Sequence, residues 1–482
     1  MRETNPVAPG REAEEATGIG DLAIVLHSHM PYVEGFGTYP FGEEWLHDAA
    51  VRSYLPVLDV ARDITMTITP VLADQLEDPG VRERMRRFLI DLRIGAAEAD
   101  VPDVQPEYRP AIEAELGRYQ HSLELLDGWD GDVLAAFRRR AEEGRIALIG
   151  SAATHAVLPM LATRAGRRLQ LDAGLGSHRR RFGFDGGAWL PECAYAPGLE
   201  WELADQGVSY FCVDQSAHET GLEALRPVAT EAGPVAFAID WDAISWVWSQ
   251  SGYPSAAPYL QFAAKSMRGM RLWRISEGPY DARAAREAAR RHAIEFVQMA
   301  VGRLAEYRRR SARRGLIVFA VDTELLGHWW TEGPLWLAEV LRIAEDEGLR
   351  LVTLPQALAE HEPEPRPLRA SSWGAGKDMR TWDAPPVADI AWAARRCELR
   401  LLRALGEGLS VDNAKRAARE LLALQASDWA FLDSRHEAGD YPFQRATDHA
   451  QAMLEAIDSP RPPDPRMRAL APDLSLVPLI EP

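Results

Sequence analysis

The run Leu22-Ala-Ile-Val-Leu26 passes directly into His27-Ser28-His29-Met30-Pro31. An unbroken apolar run that ends in polar residues reads as a strand buried on both faces, with its C-terminal end opening onto a site. The pattern recurs. Arg145-Ile-Ala-Leu-Ile149 leads to Gly150 and then Thr154-His155, Ser209-Tyr-Phe-Cys-Val213 leads to Asp214, and Leu316-Ile-Val-Phe-Ala-Val321 leads to Asp322. Arg350-Leu-Val-Thr-Leu354 precedes Pro355. Long stretches rich in Ala, Arg, Glu and Leu separate these runs. Buried strands alternating with helices predict an α/β fold built on a parallel barrel. A doubly wound open sheet is the other solution, but no glycine-rich phosphate loop follows the first strand.

Working outward, a barrel over 21–360 is expected, interrupted at about 79–144 by an all-helical insertion that includes Val81 to Ile94 and Ala111 to Leu126. Pro363, Pro365 and Pro367 mark a linker or active-site loop over 361–384. Ile390, Ala394, Cys397, Leu401 and Leu405 recur at helical spacing, as do Ala446, Ala450, Met453 and Ile457, so 385–460 reads as a C-terminal all-helical domain. The proline-rich tail over 461–482 is expected to be irregular. Residues 1–20 are acidic and polar with no hydrophobic core segment, which predicts a disordered leader, no secretory signal and a cytoplasmic location.

At 482 residues the chain is expected to hold more than one domain. Its 54 basic and 72 acidic residues leave a formal charge of −18, which argues against nucleic-acid and anionic-membrane partners. No apolar run is long enough to span a bilayer. Cys193, Cys212 and Cys397 are odd in number and widely spaced, so neither a disulfide framework nor a zinc ribbon follows.

Two segments carry the chemistry. Trp189-Leu190-Pro191-Glu192 and Asp322-Thr323-Glu324, the latter running on to Gly327-His328-Trp329-Trp330, each place a carboxylate beyond a short apolar stretch and beside tryptophans. Cleavage of a sugar acetal needs two carboxylates, one to protonate the departing oxygen and one to trap the oxocarbenium-like centre. Indole faces offer flat apolar surface to pyranose rings. Glu192 alone could be a chance surface glutamate. Asp322 alone could be a helix N-cap, with Glu324 and Leu325 beginning the helix. Together, flanked by Trp189, Trp329 and Trp330, they read as a carbohydrate-active pair. His27 and His29 share one strand face, and such a pair can bind metal. No Asp-x-Asp or second His-x-His completes a ligand set, so these histidines are read as binding sugar hydroxyls or orienting a carboxylate. His155 belongs to the same argument, with a satisfied buried histidine as the alternative. Trp373, set among glycines, is the better candidate for a sugar platform in a chain with 15 tryptophans.

In this order the blocks resemble glycoside hydrolase family 57, and within it the glucan-branching subgroup. The resemblance rests on His27-Ser-His-Met-Pro31, Gly150 to Pro159, Trp189-Leu-Pro-Glu192, Val321-Asp-Thr-Glu324 and Ser372-Trp373-Gly374. Ala426-Ser427-Asp428-Trp429 adds a likeness to the subgroup's C-terminal domain, which reaches into the active site. The resemblance covers roughly Leu22 to Leu432. It implies an incomplete seven-stranded parallel (β/α) barrel with an inserted helical region and a C-terminal all-helical domain. It also implies a retaining enzyme that needs no metal or organic cofactor, with Glu192 as nucleophile and Asp322 as general acid/base. His27, His29, His155, Trp373, Asp428 and Arg274 would bind the α-glucan substrate. The activity implied is cleavage of α-1,4 links and transfer to a 6-hydroxyl, making α-1,6 branches. An α-amylase or 4-α-glucanotransferase would use the same residues. A non-catalytic glucan-binding protein and a metal-dependent deacetylase built on His27 and His29 are readings from other classes. One departure stands out: Gly252-Tyr253-Pro254 is followed closely by Trp273-Arg274-Ile275, where the subgroup usually has a longer segment with a covering loop and its tyrosine. Tyr253 or Tyr259 is the expected replacement, and more hydrolysis is the expected consequence.

Overall fold

Residues 18–218, 221–458, 467 and 469–481 are described by a computed structural model. Its strands are β1 (Gly20–Ser28), β2 (Ile64–Ile68), β3 (Ile146–Ser151), β4 (Gly187–Trp189), β5 (Tyr210–Asp214), β6 (Val228–Ala229), β7 (Val235–Ile239), β8 (Gly315–Asp322), β9 (Arg350–Leu351) and β10 (Glu364–Pro365). Seven run parallel in the order β8-β1-β2-β3-β4-β5-β7. The sheet curls until its two edges meet at one main-chain hydrogen bond, from Asp240 N–H to the Val318 carbonyl at 2.8 Å. No strand ladder joins β7 to β8 among the described residues. This is the incomplete seven-stranded barrel.

The strand pattern shows why some runs were legible and others not. All nine residues of β1 are buried, as a strand covered on both faces requires. In β2 the run Ile64-Thr-Met-Thr-Ile68 alternates, yet it too is wholly buried. Its threonines are tolerated because they are hydrogen-bonded: Leu354 N–H donates to Thr65 Oγ1 at 2.8 Å, and Thr67 Oγ1 lies 2.6 Å from His27 Nδ1. The run Arg350–Leu354 is not a barrel strand. Only Arg350–Leu351 pairs, along β1, and Thr353 then caps the helix Leu354–Glu360 with a capping box completed by Gln356. A capping threonine followed by proline was the local signal that overrode the apolar run.

The crossover from β1 to β2 is helical from Glu43 to Val60 and widens to π geometry over Ala50–Tyr54. That widened turn aims Ser53 and Tyr54 at the segment after β8. Between β2 and β3 lie the helices Pro70–Glu77, Pro79–Arg87, Gly95–Asp100, Arg109–Gly128 and Val133–Glu142. Arg52, buried, bonds Glu115 and the Tyr119 hydroxyl of the Arg109–Gly128 helix, tying that helix to the first crossover.

Beyond the barrel, the helices Ala388–Gly406, Val411–Leu424, Ser427–Arg435 and Tyr441–Asp458 share a second core around Leu401, Leu421, Trp429 and Met453. Glu398 of the first helix accepts from Ala162 N–H, Thr163 Oγ1 and Gln425 Nε2, which docks the domain on the loop after β3. A side chain at Gly166 would collide with Glu398, so glycine permits that approach. The expected leader lies, up to residue 17, outside the described residues, as do 459–466, 468 and 482 of the end of the chain. In the tail, expected to be irregular, Val477–Ile480 is a short helix and Leu470, Leu474 and Leu479 are buried in the second core.

Candidate active site

The polar residues that end the strands converge at the C-terminal end of the barrel, where such folds build their sites. β1 delivers His27 and His29, and β2 delivers Thr67 and Thr69. The loops after β3 and β4 deliver His155 and Glu192, and β8 ends in Asp322. The helical domain adds Ser427 and Asp428, and the segment 371–382 crosses the mouth, pinned by main-chain bonds between Ser371 and Tyr195 at 2.9 and 3.0 Å.

Glu192 sits in a tight turn with φ +61° and ψ +20°, and Cys193 beside it and His155 opposite also have positive φ. A non-glycine residue held left-handed costs energy, so the surroundings must define it. They do. Trp373 N–H donates to the Glu192 carbonyl at 2.9 Å, Trp373 Nε1 donates to Oε2 at 2.7 Å, and the Ser427 hydroxyl donates to Oε1 at 2.8 Å. The buried carboxyl is pushed above the usual range by desolvation, which the Trp373 and Ser427 donors oppose. The nearby Asp428 charge adds to the rise.

Asp322 differs in kind. It stands at the N-cap position of the 3-10 turn Thr323–Leu325, but its carboxyl makes no capping hydrogen bond. It keeps a partial opening to solvent. Desolvation, reinforced by the charges of Glu324 and Glu192, carries it well above the ordinary carboxylate range, with His29 opposing. One carboxyl thus holds two donors while the other is raised by burial and negative neighbours, an unlike setting of the kind that acid-plus-nucleophile chemistry uses. Glu324 lies in the single 3-10 turn Thr323–Leu325 and not at the start of an α-helix. It accepts from the Tyr54 hydroxyl and from His29 N–H at 3.0 Å, and burial lifts it to about 7. Gly327, at φ +110°, lies so close to the Arg52 carbonyl that no side chain would fit, and the 322–330 segment thereby rests on the first crossover.

The histidines line one wall. His29 stacks on His155 at 4.1 Å, and His155 on His27 at 4.8 Å. Burial, with His29 as a positive neighbour, drives both His27 and His155 well below their usual range. Burial also works against a charge on His29, but the carboxylates of Asp428, Glu324 and Glu192 carry it upward. Each ring nitrogen of His27 and His29 has a hydrogen-bond partner. Among the described residues no group of three or more His, Cys, Asp or Glu is placed to hold a metal ion.

The structure thus brings together Glu192, Asp322, His27, His29, His155, Trp373 and Asp428. It does not bring Arg274. That side chain is exposed in a surface turn and folds back to donate to the Glu277 carbonyl at 2.6 Å. The tryptophans separate as well. Trp189 and Trp330 are core, while Trp329 is 43% exposed against Phe262. Trp373 is half-buried, edge-on to Trp189 at 5.2 Å, and touches Glu192 directly. Tyr253 and Tyr259 are no lid: both are buried, one stacked on His292 at 4.4 Å and the other bonded to it at 2.7 Å. Tyr54 and Thr67 were not singled out in the sequence, and Ser427 entered only within the Ala426-Ser427-Asp428-Trp429 block, since a lone hydroxyl carries no spacing signal. Asp214, Lys377 and Trp241 form a further polar group beside Cys193, with Lys377 Nζ 3.0 Å from Asp214 Oδ2 and 3.1 Å from the Trp241 ring centre.

Comparison with known proteins places these features. The model of glycosyl hydrolase family 57 matches residues 23–367, and that of the 1,4-alpha-glucan branching enzyme C-terminal domain matches 394–471. A probable 1,4-alpha-glucan branching enzyme of Mycobacterium tuberculosis is 34% identical over 484 aligned positions, covering 90% of this chain and 91% of the relative. A 1,4-alpha-glucan branching enzyme of Thermococcus kodakarensis is 31% identical, covering 90% of this chain and 72% of its own. Among solved structures, a branching enzyme of this family from Pyrococcus horikoshii superposes with a TM-score of 0.89 at 29% identity, covering 96% of this chain and 97% of its own. The alpha-amylase AmyC of Thermotoga maritima gives 0.86 at 26% identity, covering 96% and 99%.

Proposed function

The chain belongs to glycosyl hydrolase family 57, in its branching-enzyme subgroup, and from that premise we propose how its site works. The protein is a 1,4-alpha-glucan branching enzyme, and its substrate is an α-glucan. Glu192 attacks the anomeric carbon of an α-1,4-linked chain while Asp322 protonates the departing oxygen. Asp322, now ionised, takes the proton of an acceptor 6-hydroxyl, whose oxygen displaces Glu192 and forms the α-1,6 branch. Anomeric configuration is retained over the two displacements. The observation that carries this reading is the unlike setting of the two carboxyls: Glu192 holds two donors, at 2.7 and 2.8 Å, whereas Asp322 is uncapped and lifted by burial and negative neighbours.

His29, Trp373 and Asp428 face the cleft with partial exposure and are assigned to glucan contact. His27 and His155 lie behind them, buried, and act through Glu192 and His29. No helix among the described residues is long and apolar enough to cross a membrane, and a cytoplasmic location is part of the proposal.

Incubation with amylose tests the activity, reading iodine stain, new reducing ends and debranched chain lengths together. Branching lowers the stain and creates short debranched chains with few new reducing ends. The alpha-amylase likeness at TM-score 0.86 favours a second reading, hydrolysis by the same residues. Reducing ends that rise with no α-1,6 linkages would establish that reading and end the first.

A further inference from the structure

Four hydrogen bonds in series join the end of β2 to Glu192. Thr67 Oγ1 lies 2.6 Å from His27 Nδ1, His27 Nε2 lies 2.9 Å from His155 Nε2, and His155 Nδ1 lies 2.9 Å from Ser427 Oγ, which lies 2.8 Å from Glu192 Oε1. Thr67, His27, His155 and Ser427 are all more than nine-tenths buried. The chain crosses three parts of the molecule: strands β1 and β2, the loop after β3, and the helical domain.

Its direction follows from counting donors and acceptors. An ionised carboxylate only accepts, so the Ser427 hydroxyl donates to Glu192. That uses its single proton, so Ser427 Oγ must accept from His155, which therefore carries hydrogen on Nδ1. A neutral His155 then has a bare Nε2 and accepts from His27 Nε2–H. A neutral His27 has a bare Nδ1 and accepts from the Thr67 hydroxyl. Thr67 Oγ1 in turn accepts the Ser28 main-chain N–H at 3.3 Å. Both tautomers are thus dictated by the charge on Glu192. Were Glu192 protonated on Oε1, Ser427 could no longer donate to that oxygen: it would either accept from both Glu192 and His155, or turn its hydroxyl to His155 and reverse the bonds behind it.

We infer that Ser427 is a positioning residue of the helical domain, and that the Thr67–His27–His155 chain behind it holds Glu192 ionised and aimed at the anomeric carbon. The inference rests on the assignment of Glu192 as nucleophile. On this inference the setting of Glu192 is complete only with the helical domain docked. Ser427 N–H donates to the His155 carbonyl at 3.2 Å, and Ala156 and Ala426 form a bridge, so the same docking seats both ends of the link. The charged and titratable groups facing Glu192 are His29, His155, Asp428, Asp322 and Cys193, with Trp373 as its other donor.

The test is the acidic limb of the pH dependence of kcat/KM on amylose, which reports a base that must be ionised in the free enzyme. Ser427→Ala removes a donor from the carboxylate, so the limb moves to higher pH by about one unit. kcat falls roughly ten- to a hundredfold with little change in KM, and Ser427→Thr restores both. The decisive variant is Thr67→Val, isosteric and out of contact with Glu192. It strips His27 Nδ1 of its donor, frees the tautomer and moves the limb the same way, while Thr67→Ser does not. An unmoved limb in Ser427→Ala overturns the role of Ser427. A limb moved by Ser427→Ala but not by Thr67→Val overturns the chain behind it. Glu192→Gln separates the two levels: near-normal activity there would refute the nucleophile assignment, whereas an inactive Glu192→Gln beside an unmoved limb would refute only this inference. Circular dichroism and melting confirm that each variant is folded.

Discussion

His29 Nε2 lies 3.0 and 3.1 Å from the two carboxylate oxygens of Asp428, which is 399 residues away in the chain. The pair links β1 of the barrel to the helical domain across the cleft. Its charge state is expected to make the stability of this contact pH-dependent. Burial opposes a charge on His29, but Asp428 overrides it and raises the imidazole above its ordinary value of 6.5. A group whose pKa rises on folding stabilises fully below its unfolded pKa and loses that contribution as pH climbs through the folded value. Stability is therefore expected to decline as pH rises above 6.5. Asp428→Asn should cost about 1.5–3 kcal/mol below that pH and flatten the decline. Thermal unfolding of both proteins across pH measures it.

Removing either carboxyl should identify its role by the stereochemistry of rescue. Glu192→Ala is expected to lose at least about a thousandfold in kcat while still binding glucan. Azide entering its vacated site attacks directly, giving a glycosyl azide of inverted configuration. In Asp322→Ala the nucleophile survives, azide intercepts the glycosyl-enzyme, and configuration is retained. Proton NMR of the products on an activated α-glucoside reads the outcome. Swapped stereochemistry would exchange the two assignments.

Activity should follow a bell in pH, since Glu192 must be ionised and Asp322 protonated. After burial, the largest influence raising Asp322 is the charge of Glu324. Glu324→Gln removes it and keeps the shape, so Asp322 loses its proton at lower pH. The alkaline limb of kcat/KM should shift downward while the acidic limb stays put. An alkaline limb left in place would mean that Glu324 is uncharged during turnover.

Trp373 Nε1 donates to Glu192, which places its effect on the first displacement and on the second alike. Trp373→Phe keeps an aromatic face and deletes the donor, at about 1.5–3 kcal/mol for a hydrogen bond to a charged group. Branching and hydrolysis should fall together by roughly ten- to a hundredfold, with the ratio of new α-1,6 linkages to new reducing ends unchanged. A changed ratio would instead assign Trp373 to acceptor selection.

Exhaustive chelation is expected to leave branching intact, because double displacement at an acetal requires the two carboxyls alone. Inactivation by chelator that zinc reverses would reassign His27 and His29 as metal ligands. The measurement is branching rate before and after dialysis against chelator.

The apolar strand runs and the two carboxyls proposed to react were legible in the chain because they are written locally. A strand covered on both faces must be apolar throughout, as in Leu22–Leu26 and Leu316–Val321. A carboxylate that ends such a run is anomalous unless the site uses it, which singled out Asp322. Helical spacing from Ile390 to Leu405 and from Ala446 to Ile457 announced the helical domain, and the resemblance of the motif blocks carried the incomplete closure of the barrel. Tertiary structure alone decided which hydroxyls count. Ser427 is 235 residues from Glu192, and a serine at a helix start looks like any cap until the fold brings a buried carboxylate to it. The same holds for Tyr54, aimed at Glu324 by a turn of π geometry that no residue pattern announced. Arg274, Tyr253 and Tyr259 show the converse. Their neighbours in sequence suggested the site, but side-chain direction is set by packing, and packing turned Arg274 to its own turn and both tyrosines toward His292. Residue type and order determine where a strand runs and what it ends in. Only the curled barrel and the docked helical domain determine which of those ends meet, because proximity over hundreds of residues is a property of the packed chain.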